Sequence, residues 1–146
     1  MKLVIQRVTQ ASVSVNQKTI AEIGFGLLIL IGVGESDNLE TAQKAAEKIL
    51  NLRIFADKND KMNRSVLDMG GEILVIPQFT LLADLGKGRR PHFSQAAPPK
   101  VGQKVIRNFV KALKKSNLDI KEGKFGAQMK VTLTNNGPVT IIYEDQ

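Results

Sequence analysis

The side chains able to do chemistry in this sequence are few. It holds no cysteine and one histidine, His92. Disulfides, thiolate metal sites and cysteine nucleophiles are therefore excluded, and a zinc site built on one histidine is improbable. A Ser-His-Asp triad through His92 has its base but no supporting motif. Asp57, Asn59 and Lys61 begin like a calcium loop, but the sixth position is Met62 rather than glycine and the twelfth is Asp68 rather than a bidentate glutamate, so a polar turn is expected there. Gly24-Phe25-Gly26, Gly32 and Gly34 do not form a phosphate-binding fingerprint. Two further short stretches carry no recognisable site by residue type alone. In Pro77-Gln78-Phe79-Thr80-Leu81, Thr80 offers a hydroxyl with no base beside it in sequence, as nucleophilic attack would require. In Asn136-Gly137-Pro138-Val139-Thr140 the glycine lets the main chain approach another molecule closely. No metal or cofactor is expected, and any enzymatic reading must work without conventional machinery.

Charge is lopsided. Residues 1–85 carry nine Lys/Arg against ten Asp/Glu, whereas residues 86–130 carry twelve against two, Asp119 and Glu122. A basic half of this kind fits a polyanionic partner such as nucleic acid. It equally fits a solvated, solubilising face, and charge alone does not separate the two. No apolar run approaches the ~20 residues of a membrane span. The Met1-Lys2-Leu3 start leads straight into an alternating pattern without a signal peptide. The lack of cysteine fits a reducing compartment, so a cytoplasmic protein is expected.

These residues need a scaffold, and 146 residues suit one domain, 1–146. Short strands are expected over 3–8 and 12–15, with Asn16-Gln17-Lys18 turning into 19–23. The apolar run Leu27–Val33 reads as a strand covered on both faces. A helix should start near Asp37, capped by it in a box with Glu40, with Leu39, Ala42, Ala46, Ile49 and Leu50 as its apolar stripe. Residues 52–56 read as the start of a strand and Asp57–Asn63 as polar loop. Gly70-Gly71 should join Ser65–Met69 to a strand Glu72–Ile76 as a hairpin. Residues 84–100, with three of the five prolines, read as a long ordered loop. A second helix is expected over about 100–115, with Val101, Val105, Phe109 and Ala112 inward and Lys100, Lys104, Arg107, Lys111 and Lys114 on another face. Strands over 127–134 and 139–144 close the chain. The order is mostly β with two main helices, which should cover one side of stacked sheets.

The two stretches singled out above resemble the signature motifs of the D-aminoacyl-tRNA deacylase (D-tyrosyl-tRNA deacylase) family. Gln6-Arg7-Val8, Gly88-Arg89-Arg90-Pro91-His92-Phe93 and Gly123-Lys124-Phe125-Gly126-Ala127-Gln128-Met129 agree as well, in order and spacing over essentially the whole chain. The resemblance implies an α/β fold, a three-layer β/β/α single domain, pairing into a homodimer with active sites at the interface. It implies hydrolysis of the ester of D-aminoacyl-tRNA, and of mischarged glycyl-tRNA, with L-aminoacyl-tRNA rejected sterically. In the family the peptide matching Gly137-Pro138 is cis, enters the partner's site and offers carbonyls to the substrate ammonium, while Arg7 braces it. Gln78, Phe79 and Thr80 would orient the ester and stabilise its oxyanion through backbone N–H groups, with the 2′-hydroxyl of the terminal adenosine taking part. Phe125 and Met129 are candidates to pack against that adenosine, ordinary core being their alternative role.

One departure from the family is Pro77, where serine is usual. It removes a hydroxyl and a backbone N–H. A non-catalytic, basic RNA-binding dimer is the competing reading. It explains the charge but neither motif, and 5% aromatic residues with no Trp is thin for base stacking. A structural dimer whose motifs are packing features is a third.

Overall fold

The computed structural model describes residues 1–86 and 88–144; Lys87, Asp145 and Gln146 lie outside the described residues. In chain order the elements are β1 (Lys2–Val15), β2 (Lys18–Ile23), β3 (Gly26–Gly32), α1 (Leu39–Leu50), β4 (Phe55–Ala56), β5 (Met62–Arg64), α2 (Val66–Met69), β6 (Glu72–Pro77), a 3-10 turn (Phe79–Leu82), α3 (Pro99–Lys114), β7 (Ile120–Glu122) and β8 (Lys130–Glu144). No described helix is long and apolar enough to cross a membrane.

The two short strands expected at 3–8 and 12–15 are one strand, β1, that changes neighbour midway. Lys2–Val8 pairs antiparallel with β3, Ala11–Val15 with β2, and most of the other edge with β8. Asn16 and Gln17 turn the chain into β2 with φ of 49° and 64°, the left-handed conformation that tight hairpins need. β6 and then β7 extend the sheet in parallel. The expected hairpin at Gly70-Gly71 is therefore absent. A parallel neighbour needs a crossover, and residues 33–71 supply it. Ser65 caps α2 there, and Gly70 ends it at φ 59°. The strand expected at 52–56 shrinks to Phe55–Ala56, paired with β5, which begins inside the stretch read as polar loop and ends just past it. β7 was not expected at all: three residues are too short for a periodic signal. The two closing strands are one assigned strand, β8, interrupted at the Gly-Pro stretch.

Alternation along β3 assigns its two faces. Leu27, Ile29 and Ile31 join the core under α1 and α3, together with Ile73, Val75, Ile49 and Phe109. Leu28 points the other way, into a second core with Leu74, Ile76, Val8, Ala11, Val13 and Ile23, against which Met129, Val131 and Leu133 pack. Helices, central sheet and a second strand layer thus make the three layers, and the apolar run Leu27–Val33 is buried on both faces because each has its own core.

The helices stand where expected, with corrected details. The α1 cap is Asn38, which accepts from Glu40 and Thr41 N–H while Thr41 Oγ1 accepts from Asn38 N–H. Asp37 is buried instead, accepting from the Met1 amino group at 2.6 Å and from Gly34 N–H at 2.6 Å. A buried carboxylate needs such partners more than a helix end needs a second cap. Leu39 and Val101 lie in first turns and are exposed; the inward stripes are Ala42, Ala45, Ala46, Ile49 and Leu50 in α1, and Gly102, Val105, Ile106, Phe109, Val110 and Leu113 in α3.

Gly26 sets how closely β3 and β6 approach. A Cβ built on it would lie 1.9 Å from the Glu72 carbonyl oxygen, which is backbone and cannot swing aside. Gly26→Ala should destabilise the fold by about 3 kcal/mol. Urea unfolding checks this, the expected result being a lower midpoint with an unchanged m-value.

Candidate active site

Two chemical features stand apart in this fold. The first is at the C-terminal end of β3 and β6. Pro77 is in register with Ile31, and although it has no N–H to give, Gln78 N–H donates to the Ile31 carbonyl at 2.8 Å. The chain then tightens into the 3-10 turn. Leu81 N–H is the first to bond within it, on the Gln78 carbonyl at 3.3 Å, and no side chain caps its start. The N–H groups of Phe79 and Thr80 precede that bond, as the opening donors of any helical turn do. Gln78 Nε2 donates to Thr80 Oγ1. The Thr80 hydroxyl thus has a carboxamide for a neighbour, which in neither orientation is a base.

Beside this turn is a cleft of about 720 Å3. Ile76, Pro77, Gln78 and Phe79 form one wall; Phe93, Pro98, Pro99, Gly102 and Ile106 form the second; Phe125, Ala127, Met129 and Val131 form the third. The lining is mainly apolar with few polar groups, as small-molecule sites commonly are. Phe79 is 59% exposed and meets Phe93 edge-on, ring centroids 5.2 Å apart. Met129 reaches the wall because Gly123 is small: a Cβ there would lie 2.8 Å from Met129 Sδ and 3.0 Å from Ile76 Cδ1. Phe125 and Met129 pack on opposite cores, the helical one and the inter-strand one, and both also line the cleft. Their two candidate roles are therefore compatible.

The second feature is a bulge in β8. Gln6 is in register with Thr140 and Val8 with Asn135, so residues 136–139 all stand opposite Arg7 alone. Arg7 Nε donates to the Asn136 carbonyl at 2.8 Å and Nη1 to the Ile54 carbonyl at 2.6 Å. The Gly137-Pro138 peptide is cis, and both residues are exposed. A Cβ on Gly137 would come within 2.7 Å of Val139 Cγ2 and 3.1 Å of Arg7 Nη2. Asn135, passed over in the sequence, closes the bulge from inside. Its Oδ1 accepts from Val139 N–H at 2.7 Å, and its Nδ2 donates to the Val139 carbonyl at 3.1 Å and to Thr140 Oγ1 at 3.2 Å. The signal for it was the residue type: asparagine tends to bond nearby backbone in turns.

Gln78, Phe79, Phe125 and Met129 are thus brought together at the cleft, with Thr80 held beside Gln78. Arg7, Gly137 and Pro138 are not among its lining. Register shows how far off they are. Arg7 pairs with Leu27 of β3, while the cleft begins at Ile31 and Val33. At about 3.3 Å per residue that is roughly 13–20 Å along the strand, and the bulge lies beyond the opposite edge of β1.

The remaining candidates lie elsewhere. His92 is exposed, and its backbone pairs with that of Asp84 at 2.8 and 3.1 Å, while the Asp84 carboxylate accepts from Gly86 N–H. The Asp57 carboxyl is held below its ordinary range by the Asn63 side chain and by the N–H groups of Asn59 and Lys61, the pattern of a self-contained polar turn. Among the described residues no three His, Cys, Asp or Glu cluster as metal ligands.

The chain matches the family model described as D-Tyr-tRNA(Tyr) deacylase over residues 4–144. It belongs to that family. It is 51% identical over 146 residues to the D-aminoacyl-tRNA deacylase of Thermosipho africanus, covering 100% of this chain and 98% of that one. To the D-aminoacyl-tRNA deacylase of Bacillus licheniformis it is 48% identical, covering 100% and 99%. Among solved structures, a c-Myc DNA unwinding element binding protein superposes with a TM-score of 0.93 at 42% identity, covering 100% and 99%. A probable eukaryotic D-amino acid tRNA deacylase superposes with a TM-score of 0.85 over 97% of each chain; at 18% identity it shows the shared fold. The family's α/β architecture, mostly strands with two main helices, is the one described above.

The bracing of the bulge generates a direct expectation. Arg7→Ala leaves the partly buried Asn136 and Ile54 carbonyls without their donor, a loss of about 1–3 kcal/mol. The bulge should open locally before the sheet does. Hydrogen exchange of the Val139 amide should accelerate in Arg7→Ala and more in Asn135→Ala, with β3 amides little changed.

Proposed function

We propose that this protein hydrolyses the ester of D-aminoacyl-tRNA, and of mischarged glycyl-tRNA, as a cytoplasmic homodimer that proofreads charged tRNA. The carrying observation is the Gln78–Thr80 turn, with its opening amides outside the turn's own hydrogen bonding, at the rim of an apolar cleft in a chain of this family. Water adds to the ester carbon, the bond to the ribose 3′-oxygen breaks, and that oxygen takes the proton. Charge that develops on the carbonyl oxygen is met by the Phe79 and Thr80 N–H groups. Gln78 and Thr80 orient the ester, and Phe125 and Met129 receive the adenosine. The 2′-hydroxyl of that adenosine supplies the polar chemistry the cleft lacks.

Stereochemical choice falls to backbone. Gly137 and Pro138 are too far along β1 to serve their own cleft, so the partner subunit supplies them. Supporting this, β8 pairs with β1 on one edge only among the described residues, and Ile142 on it is 65% exposed. A long open edge of that kind is a pairing surface. With the ammonium and the ester both fixed, a D side chain points to open space and an L side chain meets the Gly-Pro wall. Glycine has nothing to reject. The reading as a non-catalytic basic RNA-binding dimer leaves the cleft and the Gln78 motif without a role.

Two outcomes follow. D-Tyrosyl-tRNA should lose its ester faster than L-tyrosyl-tRNA by on the order of 100-fold or more; equal rates, or none above background, contradict the proposal. Thr80→Ala, checked for folding and dimerisation by sedimentation, should stay within about tenfold of the parent, the worth of one neutral hydrogen bond. A 2′-deoxy terminal adenosine, with the amino acid on the 3′-oxygen, should abolish most turnover. A threonyl ester trapped at Thr80 would overturn the mechanism and leave the substrate in place.

A further inference from the structure

We infer that the outer face of α3 is the track on which the phosphates of the tRNA lie while its aminoacyl end enters the cleft. This rests on the deacylase reading and adds to it the path of the nucleic acid.

Lys100, Lys104, Arg107 and Lys111 recur at spacings of four, three and four, which stacks them on one side of a helix, and all four are exposed. Between Pro99 and Lys114 the helix holds no Asp or Glu. Close by in the chain, Lys114 pairs with Glu122 at 4.0 Å and Lys121 with Asp119 at 3.3 Å, and no ion pair among the described residues engages any of the four. The stripe is thus a row of like charges with no acid in its own helix and no ion pair among the described residues, a condition that a polyanion relieves.

Its position points to the kind of polyanion. At 3.6 residues per turn the stripe lies about a third of a turn from Pro99, Gly102 and Ile106, three residues that line the cleft. Lys100 stands at the rim, and Lys111 is about 16 Å further along the helix. Arg89 and Arg90 are exposed in the loop just before Phe93, another cleft residue, and place further positive charge at the same mouth. Lys87 of that loop lies outside the described residues. A partner that spreads negative charge along such a row and also delivers one end into an apolar cleft is a nucleic acid with a projecting terminus. An anionic membrane would meet the lysines but place nothing in the cleft.

The test uses three folded dimers: the parent, an α3 variant (K100Q, K104Q, R107Q, K111Q), and a charge-matched control (K18Q, K48Q, K58Q, K61Q) whose four changes are exposed elsewhere. Glutamine keeps nearly the helix propensity of lysine, and circular dichroism confirms folding. Affinity for uncharged tRNA is measured by fluorescence anisotropy across salt concentrations. The slope of log affinity against log salt should shrink by about three for the α3 variant, the expectation for four lost phosphate contacts, and by less than about one for the control. With D-tyrosyl-tRNA the α3 variant should raise KM rather than lower kcat. Equal slopes for the α3 variant and the parent, or an equal loss in the control, overturn the inference. So does loss of binding confined to phosphatidylserine vesicles, which assigns the face to a membrane. If the parent hydrolyses no D-aminoacyl-tRNA while the α3 slope still shrinks, the deacylase reading fails and the nucleic-acid track stands.

Discussion

Along Lys2–Gln6, β1 carries β3 on one edge and β8 on the other. Because backbone ladders fix register residue by residue, this double pairing sets the distance between everything the protein can do chemically. The cleft is built where β3 and β6 end; the Gly-Pro bulge is built where β8 loses register against Arg7. A slip of one residue in either ladder would turn Val8, Ile5 and Leu3 away from their cores, so the spacing is held by the same burial that holds the fold. Arg7 belongs to both systems. Its backbone is in the β1–β3 ladder, and its guanidinium fills the gap that four unpaired β8 residues leave.

The two features have complementary deficiencies. The cleft has apolar walls, two amides outside the turn's bonding and a hydroxyl neighboured by an amide, but nothing rigid to judge the configuration of a substrate. The bulge is braced by Arg7 and Asn135, and its Gly137 and Pro138 are exposed and lie outside the lining of the cleft. The proposed homodimer is the arrangement in which each supplies what the other lacks. It also fits a chain with one histidine, no cysteine and, among the described residues, no cluster of three His, Asp or Glu: in the proposed reaction, position and backbone dipoles take the place of an acid–base pair.

Much of the scaffold was legible in the sequence because burial writes itself as period. The run Leu27–Val33 announced a strand covered twice, and α3 announced itself through apolar residues at helical spacing with lysines on the other face. Features set by distant partners were not legible. Nothing local in Glu72–Ile76 says that its neighbour is β3, forty residues earlier and parallel, so a hairpin across Gly70-Gly71 was the simpler expectation. Asp37 looked like a helix cap because its charged partner, the Met1 amino group, is remote in sequence. The site residues were legible only through resemblance; as bare types, Gln78 and Pro138 carry no chemistry. Asn135 stayed unnoticed because its work is to bond Val139 across a bulge whose existence register alone shows. The separation of Arg7 and Gly137 from the cleft needed the pairing itself.

In the proposed dimer, one working site needs the cleft of one subunit and the Gly-Pro bulge of the other. Heterodimers test this most directly. One subunit carries Gln78→Ala with Phe125→Arg, which spoils the cleft; the other carries Gly137→Val, which spoils the bulge; each homodimer should be inactive. Purified through two different tags, the heterodimer then has one doubly damaged site and one intact site, as the symmetry of a two-fold dimer requires. The heterodimer should hydrolyse D-tyrosyl-tRNA at about half the parent's rate per dimer. A heterodimer as inactive as its parents would contradict the shared site, because a site built within a single chain cannot be repaired by its neighbour.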